Sequence, residues 1–182
     1  MNFEEKKISE EYIYSGRILN LRRDKVRLPD GNEAYREVVE HNGGACVAAL
    51  TEDNEILLVK QYRYPYAEEI FEIPAGKRES KGEDPLLAAK RELKEETGAT
   101  AADYVFLGEL YPTPGYCEEI IYMYGAKNLT FGETCPDEDE FLSVEKVPLD
   151  SLTEMIMAGE IKDAKTQAAV LKLKALIEKG VF

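Results

Sequence analysis

Residues 83–99, EDPLLAAKRELKEETGA, load one short helical stretch with more carboxylate than it can hold without compensation. Asp84 suits the capping position, Pro85 the first turn and Gly98 a left-handed stop, so the spacing predicts a helix from Pro85 to Thr97. Glu92, Glu95 and Glu96 then stand at i, i+3 and i+4 on one side, while Leu86, Ala89 and Leu93 fall on another that can be buried. Two carboxylates about 6 Å apart repel by about 3 kcal/mol at an effective dielectric of about 20, more than helix propensity returns. The glutamates also sit toward the C-terminal end, where the helix dipole disfavours anions. Two sources of compensation are open. Lys90, Arg91 and Lys94 supply it on an ordinary solvated helix, or a divalent cation binds among the carboxylates.

The helix follows FEIPAGKRESKGE, residues 71–83, which reads as a strand and then a polar loop. Gly76, Glu83, Arg91, Glu92, Leu93, Glu95, Glu96 and Gly98 together resemble the Nudix box. That pattern runs Gly, five residues, Glu, seven residues, then Arg-Glu-aliphatic-any-Glu-Glu-any-Gly-aliphatic, and every spacing from Glu83 onward matches it. There are two departures. Six residues, KRESKG, separate Gly76 from Glu83, and Ala99 stands where a larger aliphatic residue is usual. The additional residue falls in a loop, where closure entropy grows slowly with length, and it leaves the helix register untouched.

The chain has 182 residues, 44% of them hydrophobic, enough for a single core, and it shows no internal repeat or interdomain linker. A formal net charge of −13 argues against nucleic-acid binding through phosphates. An anionic substrate must then be received by metal ions and a few placed arginines rather than by the overall field. With no apolar run of about 18 residues and no charged-then-apolar leader, neither a membrane span nor export is expected, and the protein reads as cytoplasmic. Cys46, Cys117 and Cys135 show no CxxC spacing, so neither a disulfide framework nor a zinc site is indicated. His41 is the single histidine, and Cys117 beside Glu118 and Glu119 makes a poor thiolate, which leaves nucleophilic cysteine chemistry little material.

Strands are expected over 17–28 and 33–41, joined by the LPDGN turn, over 45–50 and 55–62, joined at TEDN, and over 120–126 and 141–147. Helices are expected over 149–158 and from about 162 to 179, the latter turning Ala164, Ala168, Leu171, Ala175 and Ile177 toward a core. The pattern is α/β, a mixed sheet between helices. The Nudix resemblance sharpens it to an α/β/α sandwich over residues 43–182, preceded by an N-terminal β extension over residues 1–42. In relatives that cleave ADP-ribose this extension crosses to a partner subunit, so the resemblance implies a homodimer.

Splitting a pyrophosphate linkage requires neutralised phosphate oxygens, an activated water and a fixed line of attack, and metal ions serve all three. Hard oxygen donors favour Mg²⁺ or Mn²⁺. The resemblance implies Glu92 and Glu96 as principal metal ligands, Glu95 as an assistant and the backbone carbonyl of Ala75 as a further donor. It gives Arg91 the task of orienting a carboxylate, Glu83 for example, through its bidentate fork. Pro114, sixteen residues after Gly98 in YPTPGYCEE, resembles a mark of the ADP-ribose pyrophosphatase branch, in company with REVVEH, QYRYP and FEIPAG. The same PTPG run also makes a rigid surface turn in any protein.

Arg63, and Arg36 across a dimer, are expected by similarity at the substrate diphosphate, with exposed ion pairs as the plainer alternative. Tyr116 is a candidate stacking platform for a base, as are Tyr12, Tyr62 and Tyr64. Glu69 and Glu72 are candidate outer-sphere or ligand carboxylates. Relatives carry a mobile glutamate loop where this chain has PDEDEF, so Glu140, and after it Glu138, is expected to activate the attacking water. The implied reaction is hydrolysis of ADP-ribose or a similar nucleoside diphosphate sugar to AMP and a sugar phosphate. Dinucleoside polyphosphates, NADH and GDP-sugars stay open as substrates, and so does a nucleotide-sensing module without turnover.

Overall fold

The computed structural model describes residues 2–135 and 141–182. Three strands open the chain: β1 (Lys6–Ser15), β2 (Asn20–Arg27) and β3 (Glu33–Glu40), an antiparallel sheet in that order. The β2–β3 hairpin closes at LPDGN as expected, with Gly31 at φ 90° donating its N–H to the Leu28 carbonyl at 3.0 Å. β1 lies outside the expected strands. All ten of its residues are exposed, so it has no buried face to impose a hydrophobic period, and pairing with β2 is what makes it a strand.

The chain continues through β4 (Gly44–Ala49), β5 (Glu55–Arg63), β6 (Glu68–Glu72) and β7 (Ala75–Lys77) to α1 (Pro85–Thr97). After it come β8 (Ala99–Leu110), β9 (Ile121–Phe131), β10 (Leu142–Pro148), α2 (Leu149–Met157) and α3 (Ala164–Glu178). A mixed sheet has the order β7-β4-β9-β8, with β4 parallel to β9, and an antiparallel sheet has the order β10-β5-β6. The TEDN turn, with Asn54 at φ 57°, therefore passes the chain from one sheet to the other and leaves a lone bridge between Leu50 and Ile56.

Every residue of β4 is buried. Cys46 and Ala48 pack with Leu152 and Ile156 of α2 and with Ala169, Val170 and Leu173 of α3, while Ala45, Val47 and Ala49 meet Ala88, Ala89 and Leu93 of α1. Strand alternation thus puts helices on both sides of the sheets, the α/β/α architecture expected. Ala99 is fully buried in the cluster that packs on α1.

Two expectations are corrected. β8 was absent from the expected strands because ATAADYVFLGEL mixes helix-favouring alanines with polar positions, and its pairing with β9 overrides local propensity. The inner face of α3 is Lys165, Thr166, Ala169, Val170 and Leu173, whereas Ala164, Leu171 and Ala175 are exposed and Ala168 and Ile177 only partly buried. Its polar first turn fixes that rotation. The Asp163 side chain accepts from Thr166 N–H at 2.9 Å, and Thr166 Oγ1 accepts from Ile73 N–H at 2.9 Å, which pins the turn between β6 and β7. No helix among the described residues is long and apolar enough to cross a membrane.

Candidate active site

The acidic helix starts and stops where its sequence demands. Asp84 accepts from Leu86 N–H at 2.9 Å, and Gly98, at φ 68°, donates to the Lys94 carbonyl at 2.8 Å. Glu92 and Glu96 are buried and Glu95 is part-exposed. The seat beneath Glu92 is Gly76: a Cβ added there would stand 2.1 Å from the Glu92 carboxyl carbon, so only glycine lets the carboxylate rest on β7. The additional loop residue has not displaced Gly76 from the helix. On the same strand, Ala75 N–H donates to Glu96 Oε2 at 3.0 Å.

Arg91 gathers this face. Its Nη1 donates to Glu92 Oε1 at 2.6 Å and Glu95 Oε2 at 3.3 Å, and its Nη2 donates to the Lys77 carbonyl at 3.2 Å and stands 3.7 Å from Glu83 Oε1. Burial weighs against the Arg91 charge, but Glu92, Glu95 and Glu83 outweigh it and hold its pKa above the ordinary arginine value. Lys90 lies over the Tyr104 ring and Lys94 is exposed, so Arg91 is the one of these three cations that meets the acidic face. As the described residues stand, no three acidic, histidine or cysteine side chains converge to metal-holding distance. Glu92 is turned to Arg91 and Glu96 to the Ala75 amide.

A cavity of about 870 Å³ opens over these groups. Arg91, Glu92, Glu95 and Glu96 form one wall, and Arg63, Glu72, Asp163 and Lys165 form another. Arg63 grips Glu72 with Nε at 2.5 Å and Nη2 at 2.7 Å. Lys165 Nζ donates to the same carboxylate and stands 3.0 Å from Asp163 Oδ1. Burial pushes the Glu72 carboxyl up, yet the Arg63 hydrogen bonds and the Lys165 charge prevail and hold it below the usual glutamate range. Burial likewise opposes the Lys165 charge, and Asp163 and Glu72 more than restore it. Arg63 therefore lines the cavity, and Glu72 is its buried partner. Lys165 and Asp163 were missed, although DAKTQ places a charge on the inner side of a helix start, a position that apolar counting passes over.

Several expected residues stand elsewhere. Pro114 and Tyr116 do not line the cavity of this chain: Val39 N–H donates to the Tyr116 carbonyl at 2.7 Å and Glu118 N–H to the Val39 carbonyl at 3.0 Å, so their loop docks on β3 and delivers Glu119 instead. Tyr66 lines the cavity, whereas Tyr12, Tyr62 and Tyr64 do not. Arg36 lies on the N-terminal sheet in a bidentate pair with Glu5, at 2.9 and 2.6 Å. Glu69 is paired with Lys60 at 2.7 Å, away from the cavity. Glu138 and Glu140 lie outside the described residues. Burial pushes the Cys46 thiol up to about 12, which removes it as a nucleophile.

A helix-borne acidic wall, a glycine seat and an α/β/α core define a Nudix-type hydrolase, and the comparisons agree. The NUDIX domain model matches residues 40–170, and the nucleoside diphosphate sugar hydrolase N-terminal domain model matches residues 5–39. The chain belongs to the Nudix family of pyrophosphohydrolases. It is 45% identical over 174 residues, 94% of each chain, to the methanol dehydrogenase activator of Bacillus methanolicus. It is 41% identical over 181 residues, 97% of each chain, to the ADP-ribose pyrophosphatase of Bacillus subtilis (strain 168). A solved ADP compounds hydrolase superposes at a TM-score of 0.85 over the whole of both chains with 21% identity, a likeness of fold.

Proposed function

We propose that this chain hydrolyses the pyrophosphate bond of ADP-ribose or a similar nucleoside diphosphate sugar, giving AMP and a sugar phosphate, with Mg²⁺ or Mn²⁺ as cofactor. The observation that carries the reading is one cavity in which buried glutamates of α1 share space with Arg63. The donors suit a hard divalent ion: carboxylates of Glu92, Glu96 and Glu95, with the Ala75 carbonyl on the strand that Gly76 leaves open to Glu92. A bound ion of this kind neutralises phosphate oxygens and makes water more acidic.

The chain's own residues do the rest. Arg91 keeps the acidic face in one arrangement. Arg63 uses Nε and Nη2 on Glu72, which leaves Nη1 for a phosphate oxygen. Glu140, or Glu138, takes the proton from the attacking water. Residues 1–42 form an extension distinct from the hydrolase unit of residues 43–182, and they build a homodimer through which Arg36 and the loop of Pro114 and Tyr116 serve the substrate. The apolar load of β1 supports this, since Ile8, Tyr12, Ile13 and Tyr14 are between 44% and 59% exposed. A relative named for its substrate, the ADP-ribose pyrophosphatase of Bacillus subtilis, supports the choice of ADP-ribose. Incubation with ADP-ribose and Mg²⁺, followed by chromatography, is expected to yield AMP. No product at high enzyme concentration with either Mg²⁺ or Mn²⁺ removes the proposal.

A further inference from the structure

The six-residue segment between Gly76 and Glu83 is tied down by one of its own members. Arg78 is 8% exposed and buried outside the cavity that its neighbours Lys77 and Glu79 line. Its guanidinium binds main-chain carbonyls: Nε and Nη2 reach Glu83 O at 3.0 and 2.5 Å, Nη2 reaches Lys81 O at 2.5 Å, and Nη1 reaches Asn42 O at 3.5 Å. The Tyr122 ring lies 5.3 Å from it. The main chain joins in, with Arg78 N–H on Gly43 O at 3.0 Å, Glu79 N–H on Glu83 Oε2 at 2.6 Å and Asn42 Nδ2 on Glu79 O at 3.1 Å. Taking a guanidinium out of water is unfavourable, and a planar fork that meets three carbonyls and an aromatic face is what offsets it.

These contacts run on into the acidic wall. Arg78 holds the carbonyl of Glu83, the Glu83 side chain stands 3.7 Å from Arg91, and Arg91 holds Glu92 at 2.6 Å. We infer that Arg78 is a positioning residue. It absorbs the additional loop residue by binding carbonyls within and beside the loop, so that the chain passes from Glu83 into α1 in register and Arg91 and Glu92 keep their arrangement. The kinetic part of this role rests on the proposed hydrolysis, while the ordering of the loop is read without substrate.

Arg78→Leu retains packing on Tyr122 and removes every side-chain donor. Hydrogen–deuterium exchange of the amides of residues 78, 79 and 83 is expected to quicken at least about tenfold. With ADP-ribose, kcat is expected to fall about tenfold or more while KM stays within about twofold, because a displaced carboxylate costs transition-state rather than uniform binding. Deleting Ser80 in the same variant returns the loop to five residues and restores both readouts. Arg78→Lys keeps the charge without the fork, is expected to fall between wild type and Arg78→Leu, and carries the test if the leucine variant does not fold. Unchanged loop exchange in these variants overturns the inference, as does faster exchange with kcat untouched, or a loss that loop shortening leaves uncorrected. Failure of the wild-type chain to split ADP-ribose overturns the substrate reading instead, and loop exchange then decides the role of Arg78.

Discussion

The acidic wall of the cavity comes from a single helix, whereas the ion-paired wall is assembled from β5, β6 and the start of α3, where Glu72 and its partner Lys165 are 93 residues apart in sequence. On α1, helical geometry alone puts Glu92, Glu95 and Glu96 together, so side chains three and four apart can be read as one site before any tertiary structure is known. Across the cavity nothing in the local sequence announces that Glu72 will accept from both Arg63 and Lys165. The two walls also differ in what holds them. Glu92 and Glu95 are like charges gathered by Arg91, with Glu96 on the Ala75 amide, and Glu72 is a buried anion held by two cations.

That contrast predicts different failures. Glu72→Ala leaves Arg63 and Lys165 facing each other without their shared anion and is expected to destabilise the chain by about 3–5 kcal/mol, measured by urea unfolding. A loss within error of zero would mean that water or Asp163 compensates, and the wall would not be a unit. Glu96→Gln removes charge from the other wall and is expected to lower kcat for ADP-ribose by about a hundredfold to a thousandfold while nucleotide affinity stays within a few-fold. Initial rates at saturating Mg²⁺ together with calorimetry check it, and equal loss in both quantities would erase the division of labour.

Arg63→Lys keeps a cation but not the fork, so it is expected to raise KM about tenfold with a smaller effect on kcat, read from steady-state kinetics. The smallest effect is pH-dependent. The Glu72 carboxyl is held below its ordinary value of 4.5, so its stabilisation is present above that value and is lost as pH falls through the lowered one. Melting midpoints are expected to fall on the acid side of pH 4.5, and less steeply in Glu72→Gln than in wild type. Identical acid slopes would sever Glu72 from the stability of the ion-paired wall.

The same contrast explains what the sequence made legible. The bounds of α1, the burial of Ala89 and Leu93 on it, and the apolar strand β4 follow from local period, capping chemistry and composition, and they stand as expected. β1 and β8 were not legible, because an all-exposed strand has no hydrophobic period and an alanine-rich one carries the wrong propensity. The face of α3 was misjudged because counting apolar residues assigns lysine to solvent, while Lys165 is buried by two carboxylates from distant or flanking positions. Arg63 was singled out through family resemblance and lines the cavity, whereas Lys165 of α3, which shares Glu72 with it, was not legible.

The central claim is that the glutamates of α1 exist to bind a divalent ion. Isothermal titration of Mn²⁺ into the full chain, compared with Glu92→Gln/Glu96→Gln, tests it most directly. The account predicts a saturable binding heat in wild type that the double substitution abolishes. Equal heats in both proteins, or none in either with and without ADP-ribose, would contradict it.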